Sequence, residues 1–202
     1  MKINNISVDN KQQIQNYYFP SDLEGAWLEN VIKEIWEDNE YERFGIKIKP
    51  GDIVLDLGAN VGVFSLYALS KKAHQIYAFE KNEQEYECLI LNTIKSSNIT
   101  NIKGLISNND YNFTKIFQEF NLGRVDFCKI DIEGYEYDLL LNANSEDIKK
   151  INQFSVEIHD IYSHHEIYRI LEMFSKNNFS INFEIIHTPS TLAMIYAKNK
   201  SI

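Results

Sequence analysis

Acidic side chains recur at one kind of position in this sequence, near the end of a short apolar run. Asp56 stands in Ile53–Leu57, Glu80 closes Gln75–Glu80, Asp131 closes Val125–Asp131, and Glu157 and His159 close Phe154–His159, with Asp160 next. Carboxylates and imidazoles accept protons, bind hydroxyl groups and ligate cations. Asp131, Glu157 and His159, with Glu133 and Asp160 beside them, are also hard ligands that could converge on a divalent metal ion. In an open parallel sheet all such ends lie on one edge, where ligands bind.

A second group of residues points to the kind of ligand. Asp56-Leu57-Gly58-Ala59-Asn60-Val61-Gly62 follows an apolar run and precedes a helical pattern. Gly58 allows a tight turn and a close backbone approach, and Gly62 lets the following helix pack closely. The dinucleotide fingerprint needs a middle glycine for backbone to approach a pyrophosphate. Asn60 stands at that place, which disfavours a nicotinamide dinucleotide and allows a ligand without a pyrophosphate. Glu80, at the end of the next apolar run, is placed to accept both hydrogen bonds of a ribose diol.

These residues require a scaffold that brings strand ends together. The pattern predicts strands at Ile53–Leu57, Gln75–Glu80, Asn101–Ser107, Val125–Asp131 and Phe154–His159. Helices are predicted at Val61–Lys71, Asn82–Ser96, Thr114–Phe120, Tyr135–Asn142 and His164–Asn177. Five alternations of strand and helix predict an α/β fold with a mostly parallel sheet. Phe179–Ile186 and Leu192–Lys198 are joined by five residues, too few for a crossover helix, so they form an antiparallel hairpin. Residues 1–20 read as an irregular polar arm. Leu23, Trp27, Val31 and Ile35 form one apolar stripe of a helix, with Ser21 and Glu24 as a capping box. Tyr17, Tyr18, Phe19 and Trp27 pack either on the core or on a bound acceptor. Residues 1–44 are taken as an arm and a capping or docking helix, and 45–202 as the ligand-binding domain.

Composition narrows the function further. The chain has 202 residues, with 20 Lys+Arg against 29 Asp+Glu and a net charge of -9. Tracking phosphates needs clustered positive charge, so a nucleic-acid partner is not expected. No run approaches the roughly 18 apolar residues of a membrane span. Cys88 and Cys128 stand alone, without zinc or disulfide spacing, and the N-terminus lacks a signal-peptide core. A reducing cytoplasm is the expected location.

Three segments carry a family resemblance. Val54–Ala68 (VLDLGANVGVFSLYA), Tyr77–Asn92 (YAFEKNEQEYECLILN) and Val125–Leu140 (VDFCKIDIEGYEYDLL) resemble motifs of the FkbM family of class I S-adenosylmethionine-dependent methyltransferases. Lys129, Asp131, Glu133, Gly134 and Glu136 are in register in the third, and Val156–Asp160 resembles a segment that often follows. The resemblance implies a Rossmann-like fold with a seven-stranded sheet, and O-methylation of a sugar, glycan or natural-product hydroxyl, with a small-molecule or carbohydrate acceptor as the partner. It also implies S-adenosylmethionine as the cofactor.

Under that resemblance, Asp56, Gly58, Ala59, Asn60, Gly62, Phe64, Lys81 and Asp131 are assigned to the cofactor, with Glu80 on the ribose. Asn108 and Asp110 are candidates for the adenine amino group. Methyl transfer to an alcohol is assisted by a general base within hydrogen-bond reach. Asp131 and His159 are the candidates, with Glu133 and Glu157 orienting the acceptor or the base. Lys129, inside an apolar strand, is read as pairing with a carboxylate such as Glu157. A nicotinamide-dependent oxidoreductase and a non-catalytic cofactor-binding scaffold remain the alternatives.

Overall fold

The computed structural model describes residues 3–10, 13–159, 166–186 and 192–201. Asp160, one of the candidate metal ligands, and the 187–191 link before the last strand lie outside the described residues.

Seven strands form the central sheet: β3 (Ile53–Leu57), β4 (Gln75–Glu80), β5 (Ile99–Lys103), β6 (Phe127–Ile130), β7 (Gln153–Ile158), β8 (Phe179–Ile186) and β9 (Leu192–Asn199). Their order is β5-β4-β3-β6-β7-β9-β8. The first five pair in parallel, while β9 runs antiparallel between β7 and β8. The parallel strands and terminal hairpin expected from the alternation are therefore present. Strand order reverses beside β3, so the carboxyl ends of β3, β4 and β6 open onto one crevice.

The sheet is covered on both faces. One face packs α1 (Gly25–Ile32), α2 (Val63–Ser70) and α3 (Glu83–Thr93) through Leu28, Ile32, Phe64, Tyr67 and Leu89. The other packs α4 (Phe113–Glu119), α5 (Glu136–Leu141), α6 (Ser145–Lys149) and α7 (Ile167–Lys176) through Phe113, Ile116, Leu140, Ile148 and Phe174. Burial on both faces explains why β4 carries an apolar run, Ile76–Phe79, rather than an alternating pattern.

The N-terminal segment departs from its sequence reading. Residues expected as an irregular arm form an antiparallel hairpin, β1 (Ile3–Asn10) with β2 (Gln13–Pro20), in register from Ile3↔Pro20 to Asn10↔Gln13. Asn92 of α3 fixes it. The Tyr18 amide donates to Asn92 Oδ1 at 2.7 Å, and Asn92 Nδ2 donates to the Tyr18 carbonyl at 2.9 Å. Tyr17 and Phe19 are buried in the core, whereas Tyr18 is exposed. The Ser21–Glu24 capping box does not form: α1 starts at Gly25, and its N-cap Glu24 makes no side-chain capping bond. The helix then widens into a π-helical turn at Lys33–Glu37, closed by Asp38 N–H to the Lys33 carbonyl at 3.0 Å. Apolar residues spaced by four overrun a 3.6-residue turn, and the wider turn absorbs the excess.

Candidate active site

The glycine turn is built as its residue types require. Gly58 has φ +81°, and its N–H and that of Ala59 both donate to the Phe79 carbonyl, at 3.0 and 2.8 Å. A Cβ at Gly58 would lie 1.7 Å from the Asp131 carbonyl oxygen, so only glycine fits. Gly62 has φ +91°, and a Cβ there would lie 2.7 Å from Leu89 Cδ1. Its small size thus serves packing against α3. Asn60, at φ +52°, turns its own Oδ1 to accept from Val61 N–H at 2.7 Å.

Glu80 is joined to this turn. Its Oε2 accepts from the Asn60 N–H at 2.8 Å and its Oε1 from the Asn82 N–H at 2.7 Å. A cleft beside it is lined by Gly58, Asn60, Glu80, Lys81, Asp131 and Glu133, with Phe79, Leu105 and Ile106 as an apolar wall. Lys81 sits 4.8 Å from the Tyr135 ring centroid. Asn108 and Asp110 do not line this cleft. The Asn108 amide donates to Asp138 at 2.7 Å, and Asp110 pairs with Lys115 at 3.2 Å. Both residues belong to the turn beyond the third parallel strand, whereas Leu105 and Ile106 line the cleft.

Asp56 also lies outside the cleft. It is fully buried, accepts from Ser65 Oγ at 2.6 Å, and faces Lys129 Nζ at 3.4 Å. Asp56 and Lys129 are direct cross-strand partners of β3 and β6. Lys129 Nζ further donates to the Gly58 carbonyl at 2.6 Å and faces Asp131 Oδ2 at 3.4 Å. Its partners are thus Asp56 and Asp131 rather than Glu157. Burial acts to lower the Lys129 pKa, but Asp131, Asp56 and Glu157 raise it overall, so it stays an ammonium and ties the glycine turn to Asp131.

A second cavity adjoins the first through Asn60, Asp131 and Glu133. Trp27, Val31, Glu34 and Tyr41 of the N-terminal segment wall it opposite Phe64, Lys129 and Glu157. Trp27 is the one of the four N-terminal aromatics singled out in the sequence that lines it. The Tyr41 hydroxyl lies 3.1 Å from both Asp131 Oδ2 and Glu157 Oε2. It has one proton to donate, so it donates to one carboxyl and accepts from the other when that one is protonated. Burial, followed by the Asp131 charge, pushes Glu157 up to about 8, so Glu157 holds a proton more readily than an ordinary carboxyl.

His159 is surrounded by carboxylates. Its Nδ1 lies 3.1 Å from Glu136 Oε1, and its Nε2 lies 3.4, 3.8 and 3.9 Å from Glu133, Glu157 and Asp131. Burial alone would lower its pKa, but the Glu136 hydrogen bond and the charges of Glu136, Asp131 and Glu157 raise it to about 9. It is therefore an imidazolium at neutral pH, not a group poised at working pH. Donor atoms of Asp131, Glu133 and His159 lie within 4.8 Å of one another, as a divalent ion would need. Glu157 is not in that group, and the His159 charge already answers these carboxylates.

Glu136 is the site residue that spacing did not single out. Its side chain is fully buried and accepts from the Ile132 N–H at 3.0 Å and from the Gly134 N–H at 3.2 and 3.1 Å. It thereby holds a loop in which Glu133 and Gly134 both have positive φ, +56° and +96°. The repeated carboxylate of Glu133-Gly134-Tyr135-Glu136 was a visible signal. Tyr41 gave none, because its partners lie 90 and 116 residues away.

These protonated groups set the pH response of stability. Burial is the first cause that pushes Glu40 and Glu85 up to about 7, beside Glu157 at about 8 and His159 at about 9. All four bind protons more tightly folded than unfolded. The carboxyl contributions are full below their ordinary value of 4.5 and are lost as pH rises through 7 to 8. That of His159 is full below 6.5 and is lost through about 9. Stability therefore falls as pH rises across this window. Thermal melts from acid to mildly alkaline pH are expected to show a declining Tm. A flat or rising Tm would contradict the assignment.

Comparison with known proteins places this geometry. Residues 97–181 match the methyltransferase FkbM domain. The 31-O-demethyl-FK506 methyltransferase FkbM of Streptomyces tacrolimicus is 38% identical over 66 residues, 32% of this chain and 25% of that protein. The match thus spans a quarter of that relative's length. Among solved structures, a precorrin-6y C5,15-methyltransferase from Geobacter metallireducens superposes with a TM-score of 0.58 at 11% identity, covering 91% of this chain and 94% of that one. Aeropyrum pernix fibrillarin with natively bound S-adenosyl-L-methionine superposes with a TM-score of 0.57 at 18% identity, covering 79% and 71%. The fold is that of the class I methyltransferases. Among the described residues no helix is long and apolar enough to cross a membrane.

Proposed function

We propose that this chain, which carries the methyltransferase FkbM domain over residues 97–181, is an S-adenosylmethionine-dependent methyltransferase acting on a hydroxyl of a sugar or natural-product acceptor. One observation carries the reading: the cleft holding the glycine turn and Glu80 shares Asn60, Asp131 and Glu133 with an adjoining cavity lined by Tyr41, Asp131 and Glu157.

The cleft suits the cofactor chemically. A carboxylate beside a close-approach turn accepts ribose hydroxyls, and Phe79, Leu105 and Ile106 offer an apolar surface for a purine. Bound there, the cofactor supplies an electrophilic methyl group on a sulfonium. Asp131 lines both cavities, so it is the group to take the proton of an acceptor hydroxyl. Tyr41 and Lys129 both approach its Oδ2, at 3.1 and 3.4 Å, and orient that carboxylate. His159, as an imidazolium, holds Glu133 and Glu157 in place. The second cavity, lined by the aromatic rings of Trp27 and Phe64 together with carboxylates, is the acceptor chamber. Orientation there contributes several kcal/mol to the rate.

The test has two stages. Calorimetric titration of the full chain with S-adenosylmethionine, S-adenosylhomocysteine and NAD is expected to give micromolar binding of the first two. Tight NAD binding without them would make the chain an oxidoreductase instead. Transfer of a tritiated methyl group to a panel of nucleotide sugars, glycosides and polyketide alcohols then identifies the acceptor. Binding without transfer to any hydroxyl compound would favour a cofactor-binding scaffold.

A further inference from the structure

The cofactor cleft contains a carboxyl group that the glycine turn and Glu80 do not account for. Glu85, in the first turn of α3, lines this cleft beside Glu80, Lys81 and Glu133. Glu80 is already engaged from the protein side, one oxygen by the Asn60 N–H and the other by the Asn82 N–H. A carboxylate offers about four lone-pair sites. Two are thus spent on backbone, and a third faces Glu85. A ribose diol presents two hydroxyls, which is more than the remaining site of Glu80 receives.

Resting on the cofactor reading above, we propose that Glu85 is a second ribose-binding residue, so that the Glu80–Glu85 carboxyl pair receives the diol with one hydroxyl on each. Two adjacent carboxyls do not both ionise freely. Burial, then the charge and hydrogen bond of Glu80, and then Glu133 push Glu85 up to about 7, with Lys81 opposing. Glu85 thus takes up a proton more readily than an ordinary carboxyl, which eases its place beside Glu80 on the cleft wall. Half-buried Glu85 can turn toward a ligand hydroxyl. Glu80, buried and tied to two amides, cannot move.

Calorimetry with S-adenosylhomocysteine and its 2′-deoxy and 3′-deoxy counterparts tests this on the full chain. Glu85→Ala is expected to weaken S-adenosylhomocysteine about tenfold, the size of one lost hydrogen bond to a charged group. It is expected to leave unchanged the affinity for whichever deoxy ligand lacks the contacted hydroxyl. Glu85→Gln keeps an oxygen acceptor and a donor toward Glu80, and is expected to stay within about threefold of the parent. An unaltered affinity in Glu85→Ala, or an equal loss toward all three ligands, would overturn the proposal while leaving the cofactor reading intact. Failure of the unsubstituted chain to bind S-adenosylhomocysteine would overturn the cofactor reading and this inference with it.

Discussion

Gly58→Ala is expected to abolish cofactor binding and to destabilise the chain. Two costs add at this position. An alanine at φ +81° enters the left-handed region, at about 1–2 kcal/mol. The larger cost is steric, because its Cβ would stand 1.7 Å from the Asp131 carbonyl oxygen. That atom is backbone at the end of β6 and cannot swing aside, so the turn must leave the strand. A total near 3 kcal/mol lowers Tm by about 6–12 °C in a chain of this size. Cofactor affinity is expected to fall by more than about a hundredfold, since orphaning the turn also releases the Asn60 amide from Glu80. Gly123→Ala is the control: no atom lies within 4 Å of its Cβ position, and the change is expected to be neutral within about 0.5 kcal/mol. Calorimetry and thermal melts read both. A Gly58→Ala variant with parental affinity would remove the turn from the binding site.

The second large effect is on turnover. Asp131→Asn keeps the shape of the side chain and a hydrogen-bond partner for Tyr41, while losing the capacity to take a proton. If Asp131 is the general base, the rate of methyl transfer falls by about 10²–10⁴. Lys129 still has Asp56 and the Gly58 carbonyl as partners at 3.4 and 2.6 Å, so the fold and the glycine turn are expected to persist. Cofactor affinity is therefore expected to change far less than kcat. Measuring both on one preparation separates the two roles. A rate within threefold of the parent would move the base elsewhere, and Glu157 at the same Tyr41 hydroxyl would be the next group to test.

Much of this was legible from the chain. The sequence pattern located all seven strands of the sheet, because strands buried on both faces are mostly apolar, and the five-residue link before β9 required a hairpin. The glycine spacing and Glu80 fall together on one cleft, since few residue types tolerate such backbone conformations and approaches. The acidic ends of β4, β6 and β7 met on one edge, as parallel topology demands. Asn108 and Asp110 lie off this cleft, because the path of a turn after a strand is set by contacts such as Asp138, 30 residues from Asn108. Residues 1–20 were misread because the hairpin is pinned by Asn92, a partner 74 residues distant from Tyr18.

Local chemistry therefore determined the fold class, the glycine turn and the set of charged groups near the ligand, because these depend on residue type and short spacing. The tertiary structure decided how the charged groups divide the work. Asp56 became a buried counter-ion of Lys129, since β3 and β6 place the two side by side. His159 became a cation, since Glu133, Glu136, Glu157 and Asp131 close around it. Tyr41, from outside the matched domain, came to bridge Asp131 and Glu157. Each of these outcomes depends on charges and distances between residues far apart in sequence, and folding alone brings those together.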